Sequence, residues 1–134
     1  MEPVNILIVD DCPVVRLIIR KTLQLCPVEI ENITEAANGD EGWEMVKSHD
    51  FDLVIADLNM PVMSGTEMIA KIRIDPTFND VSILTVSAES NNSRIGLLSR
   101  LTEGFVHKPF SPEYLRDKIL KVLEKQTIIS DDTK

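Results

Sequence analysis

Leu53-Val54-Ile55-Ala56-Asp57-Leu58-Asn59-Met60-Pro61 is the stretch on which the fold turns. Its first four residues are aliphatic without polar alternation, as suits a short strand covered on both faces, and the run stops at an acid. Similar apolar runs occur at Asn5–Val9, Asn32–Ala36, Ser82–Val86 and Gly104–His107. Between them lie segments with helical spacing. Val14, Ile18 and Leu25 fall on one predicted face, with Val15 and Ile19 beside them. Trp43 and Val46 make a short pair, followed later by Met68, Ile69 and Ile72, then Ile95, Leu98 and Leu101, then Leu115, Ile119, Val122 and Leu123.

The boundaries carry their own signals. Pro13 suits the first turn of a helix, and Pro27 closes that region. Asn38-Gly39-Asp40 is a turn leading into a helix, with Asp40 placed to cap it. Ser64-Gly65-Thr66-Glu67 has the spacing of a capping box, and Ser111-Pro112-Glu113 offers a cap, a first-turn proline and an acid at the positive helix end. Strand and helix alternate five times, which predicts a single α/β domain: a doubly wound parallel sheet with right-handed crossovers and helices on both faces. Residues 126–134 read as a loose polar tail after a domain spanning 1–125, with no output domain following.

Charge narrows the function classes. Lys and Arg number 14 against 22 Asp and Glu, a net charge of −8, which repels phosphate backbones and anionic lipid, so no nucleic-acid or membrane partner is expected. No apolar run approaches the roughly 18 residues of a membrane span, and the N-terminus lacks the pattern of a signal peptide. A cytoplasmic location follows as the expectation. Cys12 and Cys26 lie near opposite ends of one predicted helix, about 20 Å apart, too far for a disulfide. They are read as reduced thiols.

Doubly wound sheets bind ligands at the carboxyl ends of their strands. There the first run ends in Asp10-Asp11, the third in Asp57, the fourth in Ser87, and the fifth runs into Lys108-Pro109. Three carboxylates brought together need a cation among them. An all-oxygen set with few carboxylates suits Mg2+. A carboxylate is a weak nucleophile, so any group transfer onto one depends on positioning and on neutralising charge, tasks a metal and a lysine perform together.

Asp10-Asp11 after an aliphatic strand, Asp57 in Leu-Val-Ile-Ala-Asp-Leu-Asn-Met-Pro, Ser87-Ala88 and Lys108-Pro109-Phe110 resemble the response-regulator receiver family over roughly residues 4 to 125. Within it, Asn59, Glu89 and the Ile72-Arg73 helix end before a short acidic loop look most like the chemotaxis regulators of the CheY type. The resemblance implies a flavodoxin-like sheet of strand order 2-1-3-4-5 with five helices. It implies that Asp57 accepts a phosphoryl group from a histidine kinase. Asp11, Asp57 and the backbone carbonyl of Asn59 would bind Mg2+ directly, with Asp10 acting through water. Lys108 would pair with the phosphoryl group and Ser87 would donate a hydrogen bond to it. Ser87 and Phe105 would form the switch, and Asn59 and Glu89 would tune dephosphorylation. The implied output is a monomer whose phosphorylated surface binds a protein such as a flagellar motor switch, or a phosphotransferase if the chain is a phosphorelay intermediate.

The remaining features are read as packing or as solvent-facing. Trp43 is expected against the sheet, Met60, Met63 and Met68 around the acceptor loop, and His49 and His107 apart from any metal. One departure is Leu101-Thr102, where similar domains carry Gly-Ala, so the loop into the fifth strand is expected to follow another path. Three rival readings fail on chemistry. A small aspartyl-phosphate phosphatase needs an acid two residues after its nucleophile, where this chain has Asn59. A flavin protein needs a phosphate loop after the first strand, where this chain has Asp10-Asp11-Cys12-Pro13. A degenerate receiver would lack part of the site, and none of it is missing. The chain is therefore read as a signalling domain rather than an enzyme.

Overall fold

Ile6 and Ile8 point to one side of the sheet and Leu7 and Val9 to the other, and this alternation builds two cores. The computed structural model describes residues 2–132, with side chains described through Lys125. The elements run β1 (Val4–Val9), α1 (Pro13–Gln24), β2 (Ile30–Ala36), α2 (Gly39–Ser48) and β3 (Leu53–Ala56). They continue through α3 (Gly65–Ile74), a 3-10 turn at Pro76–Phe78, β4 (Ser82–Ser87), α4 (Asn92–Leu98), β5 (Gly104–His107) and α5 (Pro112–Asp132). All pairings are parallel, in the order β2-β1-β3-β4-β5, so the doubly wound fold stands as read from the sequence and the strand order as the resemblance implied. β1, β3 and β4 are the inner strands, and residues 53–56 of β3 are buried throughout, which is why that run shows no polar alternation.

On one face, Ile19 and Leu23 of α1 and Leu115, Ile119, Val122 and Leu123 of α5 close over Ile6, Ile8, Ile55 and Val86. On the other, Val46 of α2, Met68, Ile69 and Ile72 of α3 and Leu98 of α4 cover Leu7, Val9, Val54 and Ile83. Met63 is buried, and Trp43, Met60 and Leu101 lie partly buried against this second core. Trp43 meets Phe78 edge-on with ring centroids 5.7 Å apart.

Several caps follow the sequence signals. Pro13 opens α1, the Ser64 hydroxyl accepts from the Glu67 N–H at 3.2 Å, and the Ser111 hydroxyl accepts from the Tyr114 N–H at 3.1 Å. At α2 the reading is corrected: Asn38, not Asp40, is the cap, its Oδ1 accepting from the Glu41 N–H at 2.9 Å, while Asp40 lies inside the first turn. The buried face of α1 is also corrected. Val14, Ile18 and Leu25 are exposed, together with Leu17, and the core side carries Val15, Ile19, Thr22 and Leu23. Five of the six residues Val14–Ile19 are apolar, so spacing alone could not choose between the two faces. Residues 126–132, read as a loose tail, continue the α5 backbone, since no Gly or Pro follows Pro112 to stop it.

The loop into β5 needs no glycine. Among the described residues only Val62 combines a side chain with positive φ, so Leu101 and Thr102 stay out of the left-handed region. Arg73 instead takes up the carbonyl groups there: its Nε donates to the Leu101 carbonyl at 2.7 Å and Nη1 to the Phe78 carbonyl at 3.4 Å. The Thr102 hydroxyl donates to the Leu98 carbonyl at 3.1 Å. Glu103 completes the arrangement, pairing with Arg73 at 3.1 Å and accepting from the Ile83 N–H at 2.6 Å.

Candidate functional site

The parallel register brings the ends of β1, β3, β4 and β5 to one edge. The Asp10 N–H donates to the Ala36 carbonyl at 3.1 Å, the Asp57 N–H to the Val9 carbonyl at 2.9 Å and the Lys108 N–H to the Ser87 carbonyl at 2.9 Å, so each site residue continues its strand's ladder by one step. The acceptor loop is held from the far side by Gly65, whose N–H donates to the Leu58 carbonyl at 2.9 Å. A Cβ on Gly65 would stand 1.7 Å from the carbonyl oxygen of Asp57, so only glycine permits this approach.

Asp10, Asp11 and Asp57 each present a carboxylate oxygen within 4.8 Å of the others. Asp10 is buried to 1% exposure and Asp57 to 7%, whereas Asp11 is exposed. Lys108 bridges the two buried acids, its Nζ lying 2.8 Å from Asp10 Oδ2 and 3.3 Å from Asp57 Oδ2. Backbone donors take the other oxygens: Cys12 N–H reaches Asp10 Oδ1 at 2.9 Å and Leu58 N–H reaches Asp57 Oδ1 at 2.8 Å. Burial pushes the Asp10 carboxyl above the usual range, against the Lys108 and Cys12 hydrogen bonds, which pull it down. Burial also disfavours the Lys108 ammonium, but the Asp10 and Asp57 carboxylates outweigh it and hold the lysine above its ordinary value. Lys108 is therefore a fixed positive charge facing the acceptor.

Ser87 is fully buried, and its hydroxyl oxygen accepts from the Glu89 N–H at 3.3 Å. Phe105 and His107 are partners across the sheet for Thr85 and Ser87, and their two rings meet edge-on with centroids 4.7 Å apart. The Thr85 hydroxyl is buried with no hydrogen-bond partner among the described residues. His107 thus packs against the Phe105 ring. Asn59 is exposed, and its Nδ2 donates to Glu89 Oε2 at 3.2 Å. The Asn59 hydrogen bond is the main reason that the Glu89 carboxyl lies below the usual range, with the Asn91 N–H and Arg94 adding to it. Residue-by-residue reading of the sequence did not find Arg94 and Thr66, which extend this network from α4 and α3; the one local clue is Asn91, which caps α4 by accepting from the Arg94 N–H at 3.0 Å.

The description "Response regulator receiver domain" matches residues 6–120. The chain belongs to the response regulator receiver domain family. It is 33% identical over 121 residues to a chemotaxis protein CheY homolog of Campylobacter jejuni, an alignment covering 89% of this chain and 92% of that one. It is 31% identical over 130 residues to the nitrate/nitrite response regulator protein NarL of Escherichia coli, covering 97% of this chain but 59% of NarL. Among solved structures, the response regulator TrrA of Thermotoga maritima, in complex with Mg2+ and BeF, is 34% identical with a TM-score of 0.74, covering 88% of this chain and 97% of TrrA. This chain is thus a receiver domain of two-component response regulators, a signalling family whose members bind Mg2+ through acidic residues and interact with histidine kinases and downstream targets. The all-oxygen donor set of Asp10, Asp11 and Asp57 fits that ion. Among the described residues no helix is long and apolar enough to cross a membrane.

Proposed function

We propose that Asp57 accepts a phosphoryl group from a phosphohistidine of a partner kinase and that the unit formed by residues 1–125 passes the signal on by phosphorylation-dependent protein binding in chemotaxis. The observation that carries this is the Asp57 carboxylate held at a strand end, 3.3 Å from the Lys108 ammonium and grouped with Asp10 and Asp11. An Asp57 oxygen forms the new bond to phosphorus while the bond from phosphorus to the donor imidazole breaks, the imidazole leaving with that electron pair. Lys108 faces the charge carried by the transferred group and the Ser87 hydroxyl is its hydrogen-bond donor. Asp11, Asp57 and the Asn59 carbonyl would hold Mg2+, with Asp10 acting through water; when bound, the ion neutralises charge on the phosphoryl oxygens. The exposed stripe of Val14, Leu17 and Ile18 on α1, which begins three residues after Asp11, offers the donor an apolar surface.

Lys108 follows β5 and Ser87 ends β4, so a phosphoryl group on Asp57 draws two neighbouring strand ends towards itself. Movement of Ser87 changes the space beside Phe105, which turns inward, and a partner reads the difference on the surface of α4, β5 and α5. Asn59 and Glu89, bonded across the mouth, tune dephosphorylation. Chemotaxis is supported by the Campylobacter jejuni relative, which this chain covers almost end to end, whereas NarL is covered for little more than half. The reading carries a cytoplasmic location, consistent with the free thiols at Cys12 and Cys26.

Acetyl phosphate with Mg2+, followed by intact-mass analysis, should add one phosphoryl group, and Asp57→Asn should remove it. EDTA should block labelling and leave far-UV circular dichroism unchanged. Undiminished labelling of Asp57→Asn would end the assignment.

A further inference from the structure

A chain of polar side chains joins the loops that follow Asp57 and Ser87. Asn59, two residues past Asp57, donates through Nδ2 to Glu89 Oε2 at 3.2 Å. Arg94 Nη1 donates to the same oxygen at 3.3 Å, and its Nη2 reaches the Thr66 hydroxyl at 3.4 Å. Glu89 Oε1 accepts from the Asn91 N–H at 3.1 Å, and the Glu89 N–H is bonded to Ser87 Oγ. Four pieces of chain are joined in this way: the loop after β3, the loop after β4, and the first turns of α3 and α4. Glu89 is the hub, its side chain 12% exposed, with the 42% exposed Arg94 outside it. Arg94 alone among the donors to Glu89 is charged, and it shares Glu89 Oε2 with Asn59.

We propose that Arg94 is a positioning residue for the acyl phosphate on Asp57: by pinning Glu89 against Asn59 it keeps the strap across the mouth and slows attack by water. The inference rests on the phosphoryl-acceptor reading above. In hydrolysis the water oxygen bonds to phosphorus as the bond from phosphorus to the Asp57 oxygen breaks. The carboxylate leaves with the electron pair, and the proton of the water goes to solvent with the inorganic phosphate. In-line displacement puts the water opposite the Asp57 oxygen, and on this proposal it approaches past the loops that carry Asn59 and Glu89. A freed Glu89 would both uncover that approach and offer an unpaired carboxylate as proton acceptor, so both effects of losing Arg94 shorten the phosphoryl lifetime.

The test labels full-length protein with acetyl phosphate and Mg2+, removes the donor, and follows decay of the phosphorylated mass. Arg94→Ala should shorten the half-life about twofold to fivefold, the range set by one exposed ion pair. Arg94→Lys should restore part of it, because an ammonium can still pair with Glu89. In a Glu89→Ala background, Arg94→Ala should change nothing further, with the thermal midpoint unmoved. A merely structural role in α4 would lower the midpoint and act equally in both backgrounds, and that result would overturn the proposal. So would an unchanged or lengthened half-life in Arg94→Ala. Failure of the wild type to label at Asp57 would instead remove the phosphoryl reading itself, which the mass of the unmutated protein reports separately.

Discussion

Replacing Lys108 with alanine would leave the buried Asp10 carboxylate without its ammonium, and the structure sets the size of the effect. The contact to Asp10 is short, at 2.8 Å, and that acid is 1% exposed. Losing one charge-assisted hydrogen bond of this kind costs about 1.5–3 kcal/mol. The second contact, at 3.3 Å to Asp57, is longer and adds less. An unpaired buried charge costs about 3–5 kcal/mol, but Asp11 is exposed at the same edge, so water reaches the site and limits the loss. Lys108→Ala should therefore destabilise the protein by about 2–4 kcal/mol near neutral pH without added metal. Asp10→Asn removes the charge that the lysine serves, so in that background Lys108→Ala should cost about 1 kcal/mol or less. Urea denaturation of the four proteins, followed by far-UV circular dichroism, measures the coupling. A loss below about 1 kcal/mol in the single variant, or strict additivity in the double, would refute the claim that the lysine neutralises this cluster.

Three further outcomes follow from contacts away from that pair. Burial raises the Glu35 carboxyl, but Arg20 at 2.8 Å and Arg16 at 2.9 Å outweigh it and hold it below its ordinary value. The stabilisation is thus present above the unfolded value and lost as pH falls through the lowered folded one, so Glu35→Gln should cost about 1 kcal/mol near neutral pH and nothing once the acid is protonated. Chemical denaturation across that range checks it, and a constant difference would count against the ion pairs. Gly65→Ala places its methyl against the Asp57 carbonyl, forcing α3 away from the acceptor loop, with an expected loss of about 3 kcal/mol in urea denaturation and reduced phosphoryl labelling. Thr85→Val keeps the shape and removes a buried hydroxyl that has no partner among the described residues, so the thermal midpoint should rise, by an amount corresponding to about 1 kcal/mol.

The acids, the serine and the lysine were legible because the chemistry fixes both their type and their place. A residue at or one step beyond the end of a parallel strand must lie at the carboxyl edge: Ser87 closes β4, and Asp10, Asp57 and Lys108 follow β1, β3 and β5 by one step. The buried face of α1 was not legible, because apolar residues run around most of its first turns and only the packing of Ile19 and Leu23 against β1 and α5 decides which side is covered. The cap of α2 turned on a two-residue choice, since both Asn38 and Asp40 have the right chemistry and only the backbone places Asn38 outside the first turn. The departure at Leu101-Thr102 was visible as a missing glycine, yet its resolution by Arg73 was not, because Arg73 lies on another helix and reaches the loop only after folding. The strap over the site is of the same kind. Asn59 and Glu89 stood out through the resemblance, but nothing local links either to Arg94 or Thr66. A strand end dictates where a short side chain points, whereas a long cation selects its partners from whatever the finished fold presents. Residues that perform the proposed chemistry are therefore readable from strand ends, and residues that set its rate must be sought among the arginines packed around the mouth.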